Sequence, residues 1–316
     1  MGKKEKSYLG TLERGIKKGE RQSIARAITL AESDPASFST IIKAVYDPKK
    51  YMHVVGVIGP PGCGKSSLIA LLAPKLVENG HRVGIIAVDA SSPFTGGSFL
   101  GNRIRMQDVL DNDKIFMRSM ASRGAKGGLA MGVMNAALVL GSAGFDYVIV
   151  EPVGSGQADV DILDIASTII VVLAPGLGDE VQAAKAGLME IGDVFVVNKS
   201  DLPGAEKAER DLRYFVSTSP PNGERQKILS TSVRLKRGIE ELLKATIVHE
   251  THVDKDAFKI RRLRLEASRI AKEIFSTKVD ELAKEKEKWI ADLSYTSIDP
   301  YSAAERIVYA VESRDR

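Results

Sequence analysis

The sequence predicts an α/β fold: a doubly wound, mostly parallel sheet with helical extensions at both ends. Three observations lead there. An apolar run, His53 to Ile58, enters a Gly/Pro-rich turn and then a helix whose buried face is marked by Leu68, Leu71, Leu72 and Leu76. A second strand-like run, Val83 to Val88, follows, and a strand, a crossover helix and another strand in that order force the two strands to be parallel. Further strand-like runs at Ile115 to Met117, Tyr147 to Val150, Ile169 to Leu173, Val194 to Val197 and Lys227 to Leu229 alternate with helical patterns.

Ahead of the first strand, residues 8–46 carry helical spacing, as in Ile24, Ala27, Ile28 and Ala31. The Ser33-Asp34-Pro35 breaker divides this stretch, and a short helix is expected from Ser37 to Val45. From Asp254 onward the pattern becomes long and charged, with apolar seams Leu263, Ala267, Ile270, Ile274 and Phe275, Val279, Leu282. A last helix near Tyr301 to Val311 follows the Asp299-Pro300 break. The expected organisation is a helical arm over 1–49, an α/β domain over 50–250 and a helical extension over 251–316.

Composition narrows the function classes. With 316 residues, 44% apolar and 27% charged, the chain can bury a full core. Its 45 basic and 41 acidic residues are well mixed, so no basic stripe points to nucleic acid. One cysteine, Cys63, excludes an intramolecular disulfide and fits a reducing compartment. The apolar run Gly128 to Gly141 is too short to span a bilayer and contains Asn135, so it reads as a buried helix. The basic segment Met1 to Ser7 precedes no apolar signal core, and the expected location is the cytoplasm, away from membranes.

The chemistry is concentrated in two motifs. Gly59-Pro60-Pro61-Gly62-Cys63-Gly64-Lys65-Ser66 is a P-loop pattern placed between a strand and a helix, with Ser67 continuing the first turn. Glycines let main-chain N–H groups turn in around a phosphate, Lys65 neutralises β/γ oxygens, and the Ser66 hydroxyl can ligate Mg²⁺. Mg²⁺ needs further oxygen donors, and Asp89 and Glu151, each closing a strand, emerge at the carboxyl edge beside the loop. Glu151-Pro152-Val153-Gly154 has the carboxylate-x-x-Gly form of a switch entry, in which the Gly154 N–H can meet a γ-phosphate. Gln157 is a candidate for orienting the attacking water.

The second motif is Asn198-Lys199-Ser200-Asp201, after the apolar strand Val194 to Val197. Asp201 can accept from guanine N1–H and the 2-amino group, Asn198 can hold the loop, and the Lys199 stem can cover the base. Adenine offers no matching donors, so GTP and GDP are the expected nucleotides. Ser230-Thr231-Ser232-Val233 is the candidate second base loop, with Ser232 and Val233 nearest the base.

Taken with Val88-Asp89-Ala90-Ser91-Ser92, Thr95-Gly96-Gly97-Ser98, Gly154-Ser155-Gly156-Gln157 and Gly178-Asp179-Glu180-Val181-Gln182, the chain resembles the MeaB/ArgK family. These are GTPase chaperones of adenosylcobalamin-dependent methylmalonyl-CoA mutase, in the metallochaperone-type branch of P-loop GTPases. The resemblance implies a Mg²⁺-dependent GTPase that gates such an acyl-CoA mutase and forms a homodimer through its C-terminal helices. It also makes Asp179, Gln182 and Lys185 candidates for coupling to the partner. One departure is Asn102, where the family generally carries Asp, and an amide cannot act as a general base.

Two other classes compete. A nickel-insertion GTPase would bind metal of its own, yet the chain has only His53, His81, His249 and His252, with His249 and His252 three apart on a possible helix. A transport-protein kinase or ATPase, the older label of this family, lacks any acceptor-binding feature in the sequence.

Overall fold

In the computed structural model, residues 3–89, 106, 109, 111–121, 128–152, 165–176, 190–218, 226–285 and 299–314 are described. Among them, seven strands are present: β1 (His53–Ile58), β2 (Val83–Asp89), β3 (Ile115–Ala121), β4 (Tyr147–Glu151), β5 (Thr168–Leu173), β6 (Val194–Val197) and β7 (Lys227–Ser230). They form one sheet in the order β3-β2-β4-β1-β5-β6-β7. Every pairing is parallel.

The burial pattern explains that choice. β1, β4, β5 and β6 are buried at every residue, so neither face of the central sheet meets water. Continuous apolar strands of this kind need helices on both sides, which is the setting of parallel sheets. Successive residues accordingly serve opposite layers. Val55, Val57, Ile149, Ile170 and Val172 pack with Leu68, Leu72, Leu76, Leu242 and Leu243. Val54, Ile58, Val148, Val150 and Val171 pack instead with Ile24, Ile28, Met134, Ala137 and Leu140. β7, at one edge, is half-exposed along its length.

The helices are α1 (Lys3–Lys17), α2 (Arg21–Ser33), α3 (Pro35–Val45), α4 (Lys65–Glu78), α5 (Gly128–Ser142), α6 (Ala205–Thr218), α7 (Ile239–His252), α8 (Lys255–Glu285) and α9 (Pro300–Arg314). The run read as a buried helix is α5, with Val133, Met134, Ala136, Ala137, Val139 and Leu140 buried. The N-terminal arm contains one helix more than the spacing suggested. Gly19, at φ +74°, breaks it between α1 and α2 without any proline to announce the turn. The Asp34 break is as expected: its carboxylate accepts the Ser37 N–H at 3.1 Å, and Pro35 opens α3.

Two compact units divide the chain, Met1–Phe258 and Lys259–Arg316. In the second, Arg262 and Glu266 form a charge pair at 2.7 Å along α8. The seam anticipated on α8 is exposed at Leu263, Ile270, Ile274 and Phe275. Among the described residues, no helix is long and apolar enough to cross a membrane.

Candidate nucleotide site

β1 delivers the chain to the carboxyl edge of the sheet between β4 and β5, where the turn from Gly59 to Gly64 leads into α4. Two glycines there have physical reasons. Gly59 adopts φ +143°, and a Cβ on it would lie 2.1 Å from the Val172 carbonyl of β5. Gly64 adopts φ +97°, and a Cβ would lie 2.4 Å from Asn198 Nδ2. Lys65 opens α4, is buried, and donates from Nζ to the carbonyls of Gly59 at 2.8 Å and Pro60 at 3.2 Å. Its ammonium thus lies across the loop that it ends. Pro61 and Gly62 face solvent, while Cys63 is fully buried. Burial pushes the Cys63 thiol up.

The Ser66 hydroxyl, one residue on, donates to Glu151 Oε1 at 2.7 Å. Both side chains are buried, at 5% and 4% exposure. Adjacent vertices of an octahedron with bonds of about 2.0–2.1 Å lie about 2.9 Å apart, so this oxygen pair fits the donor set and spacing that Mg²⁺ requires. Asp89, the last residue of β2, lies on the strand beside β4, whose Glu151 pairs in register with Ala87. Gly154 and Gln157 lie outside the described residues, as do Asn102, Asp179, Gln182 and Lys185.

The turn expected to face the base starts at Asn198, which is 1% exposed and ties three segments together. Its amide Nδ2 donates to the Cys63 carbonyl at 2.8 Å, and its Oδ1 accepts from Thr231 Oγ1 at 3.1 Å. The P-loop, the Asn198 turn and the segment after β7 are therefore joined through one side chain. Lys199 takes φ +57°, a conformation rare for a residue with a Cβ, and the turn holds because Ser200 N–H reaches the Thr231 carbonyl at 2.9 Å. Asp201 accepts from Ser232 Oγ at 2.5 Å and meets Arg234 Nε at 2.9 Å. The Ser232 hydrogen bond, ahead of Arg234, holds the Asp201 carboxyl below the usual carboxylate range. Val233 follows in a tight loop closed by reciprocal backbone hydrogen bonds between Ser232 and Arg237 at 3.1 and 3.0 Å.

The structure brings the sequence-predicted Asp201 and Ser232 into contact, and adds Thr231 as the partner of Asn198 and Arg234 as a partner of Asp201, which the sequence reading did not name in those roles. The position of both, directly after the last strand, was the available signal.

The histidines sit elsewhere. His53 begins β1 and Thr168 begins β5, so they lie at the strand ends opposite the P-loop. His53 Nε2 and His249 Nδ1 each approach the Thr168 hydroxyl at 2.7 Å, and Asp193 Oδ1 is 3.3 Å from His249 Nε2. Among the described residues, no group of three or more His, Cys, Asp or Glu is arranged to hold a metal ion.

Residues 24–288 match the family described as Methylmalonyl Co-A mutase-associated GTPase MeaB. The chain belongs to the MeaB family. It is accordingly a GTPase of the P-loop class. A relative from Pyrococcus horikoshii, named as a GTPase, is 40% identical over 312 residues, covering 95% of this chain and 97% of that protein. A MeaB relative in Caenorhabditis elegans, named methylmalonic aciduria type A homolog, mitochondrial, is 34% identical over 251 residues, covering 73% of this chain and 63% of its own. Among solved structures, one titled LAO/AO transport system kinase superposes with a TM-score of 0.70 at 22% identity over 99% of both chains, a likeness of fold.

Proposed function

We propose that this MeaB-family GTPase binds GTP with Mg²⁺ at the carboxyl edge of the sheet and uses its hydrolysis to gate an adenosylcobalamin-dependent acyl-CoA mutase. The observation that carries the site is the buried Ser66–Glu151 pair, which sets a P-loop hydroxyl and a strand-end carboxylate in contact. Ser66 and Glu151, together with Asp89 from the neighbouring strand β2, would hold the ion, and Mg²⁺ when bound would neutralise charge on the β- and γ-phosphate oxygens.

The remaining roles belong to the chain itself. Main-chain N–H groups from Gly59 to Ser67 cradle the phosphates at the start of α4. Lys65 leaves its carbonyl partners for β/γ oxygens, exchanging hydrogen bonds to neutral acceptors for charge-assisted ones. Gly154 and Gln157 are assigned to the γ-phosphate and the attacking water. Asp201 reads the guanine edge, Lys199 covers the base, and Asn198 keeps base loop and P-loop in one frame.

The client assignment draws on the family description and on the name of the C. elegans relative. The exposed apolar residues of α8 support a homodimer through the C-terminal helices. The test is co-purification of the tagged protein from its own cell extract, with GDP and with a non-hydrolysable GTP analogue, followed by identification of the bound enzyme. An acyl-CoA mutase retained in a nucleotide-dependent way supports the reading. Retention of a hydrogenase precursor or a transport binding protein instead would overturn it.

A further inference from the structure

We infer that Arg234 is a built-in competitor for the guanine base, holding the base-reading carboxylate of Asp201 until nucleotide displaces it. The inference rests on the assignment of Asp201 as the guanine reader and specifies how access to that residue is controlled.

Both carboxylate oxygens of Asp201 are engaged, Oδ1 by the Ser232 hydroxyl at 2.5 Å and Oδ2 by Arg234 Nε at 2.9 Å. With these contacts in place the Asp201 side chain is 8% exposed, whereas that of Arg234 is 75% exposed. The two partners differ in what holds them. Ser232 is anchored: its N–H and carbonyl bond Arg237, and its Oγ also accepts the Leu235 N–H at 3.2 Å. Arg234 stands between these two anchored residues with a side chain mostly in water, so it can swing out by rotamer change without disturbing the loop.

Guanine presents N1–H and the 2-amino group side by side to one carboxylate, so it needs Oδ2 as well as Oδ1. An N–H of the base and the guanidinium N–H therefore compete for the same acceptor. The difference in mobility decides the outcome. Ser232 stays and fixes the carboxylate plane, while Arg234 leaves. Because an exposed ion pair is weak and screened by salt, the competition is mild and ionic-strength dependent, suited to tuning exchange and not to blocking it.

Stopped-flow binding of fluorescent GDP to the full-length protein tests this, with Arg234→Ala and Arg234→Lys beside the parent at about 50 mM and about 500 mM salt. The expected result is that Arg234→Ala binds about two- to five-fold tighter at low salt, through faster association with dissociation unchanged, and that the gain shrinks at high salt. Arg234→Lys, which keeps the charge without the planar fork, falls between. Weaker binding of Arg234→Ala through faster dissociation would mean that Arg234 stacks on the bound base, and would overturn the inference. Equal binding at both salts would do the same. Failure of the underlying assignment is separately visible, since a parent protein that binds fluorescent ADP as well as GDP has no guanine reader for Arg234 to occupy.

Discussion

Ser66 and Glu151, 85 residues apart in the chain, meet through a 2.7 Å hydrogen bond between the first turn of α4 and the last residue of β4. Their strands explain the meeting: β1 and β4 are parallel neighbours in register from His53–Tyr147 to Gly56–Val150, so both end at the same edge. Glu151→Gln keeps the shape and an acceptor for the Ser66 hydroxyl but loses the charge. The expected outcome is a fall in Mg²⁺-dependent GTP hydrolysis of about 10–100-fold, with the Mg²⁺ requirement moved to higher concentration. Melting curves without nucleotide, run beside Mg²⁺ titrations of turnover, separate a loss of metal binding from a loss of fold.

Lys65 is the second lever. In Lys65→Ala the carbonyls of Gly59 and Pro60 lose an intramolecular donor. More consequentially, the triphosphate loses its charge-assisted partner. Turnover should drop by about 10²-fold or more, read as kcat/KM for GTP. Hydrolysis at the parental rate would remove the phosphate-site assignment.

Asn198 is predicted to matter at both ends of the nucleotide. Asn198→Ala strips the partners from the Cys63 carbonyl and the Thr231 hydroxyl, both buried. The cost to folding should be about 1–3 kcal/mol, measured by denaturant unfolding. Because the same side chain joins the P-loop and the base loop, affinity for phosphate analogues should fall along with affinity for the base. Loss confined to base recognition would argue against that coupling.

Asp201→Asn replaces a pure acceptor with an amide that can donate. Preference should move from guanine toward xanthine nucleotides, whose 2-oxo group accepts that donor. Competition between GTP and XTP in a binding assay gives the answer directly, and retained GTP preference would displace Asp201 from the base site.

A pH effect is expected far from the nucleotide. His53 is fully buried, and burial lowers its pKa from 6.5 to about 4. Glu250 and Asp193 favour its charged form, while His249 and Lys255 oppose it. The unfolded chain takes up the proton at the ordinary value and the folded chain only near 4, so stability is full above pH 6.5 and is lost as pH falls toward 4. A shift of this size corresponds to about 3 kcal/mol across that window. Denaturant unfolding at pH 7 and at pH 5 should show the loss, and His53→Gln should reduce it.

Local pattern carried much of this protein. Six of the seven strand-like runs became strands within one residue of their expected ends, because unbroken apolar stretches between turn residues encode a strand covered on both faces, while β3 runs on from Met117 to Ala121. The P-loop and the Asn198 to Asp201 motif were recognisable as patterns because each lies in one short run of contiguous residues directly after an apolar strand. Gly19 was not legible as a helix break, since a single glycine is tolerated in many helices.

Tertiary structure alone decided which segments became neighbours. The strand order, the Asn198 bridge to Cys63 across 135 residues, and the grip of Arg234 on Asp201 depend on how layers stack and where parallel strands end together. Period and turn chemistry act over a few residues and leave such pairings undetermined. They are settled by burial of both sheet faces at once, a property of the assembled chain and of no segment within it.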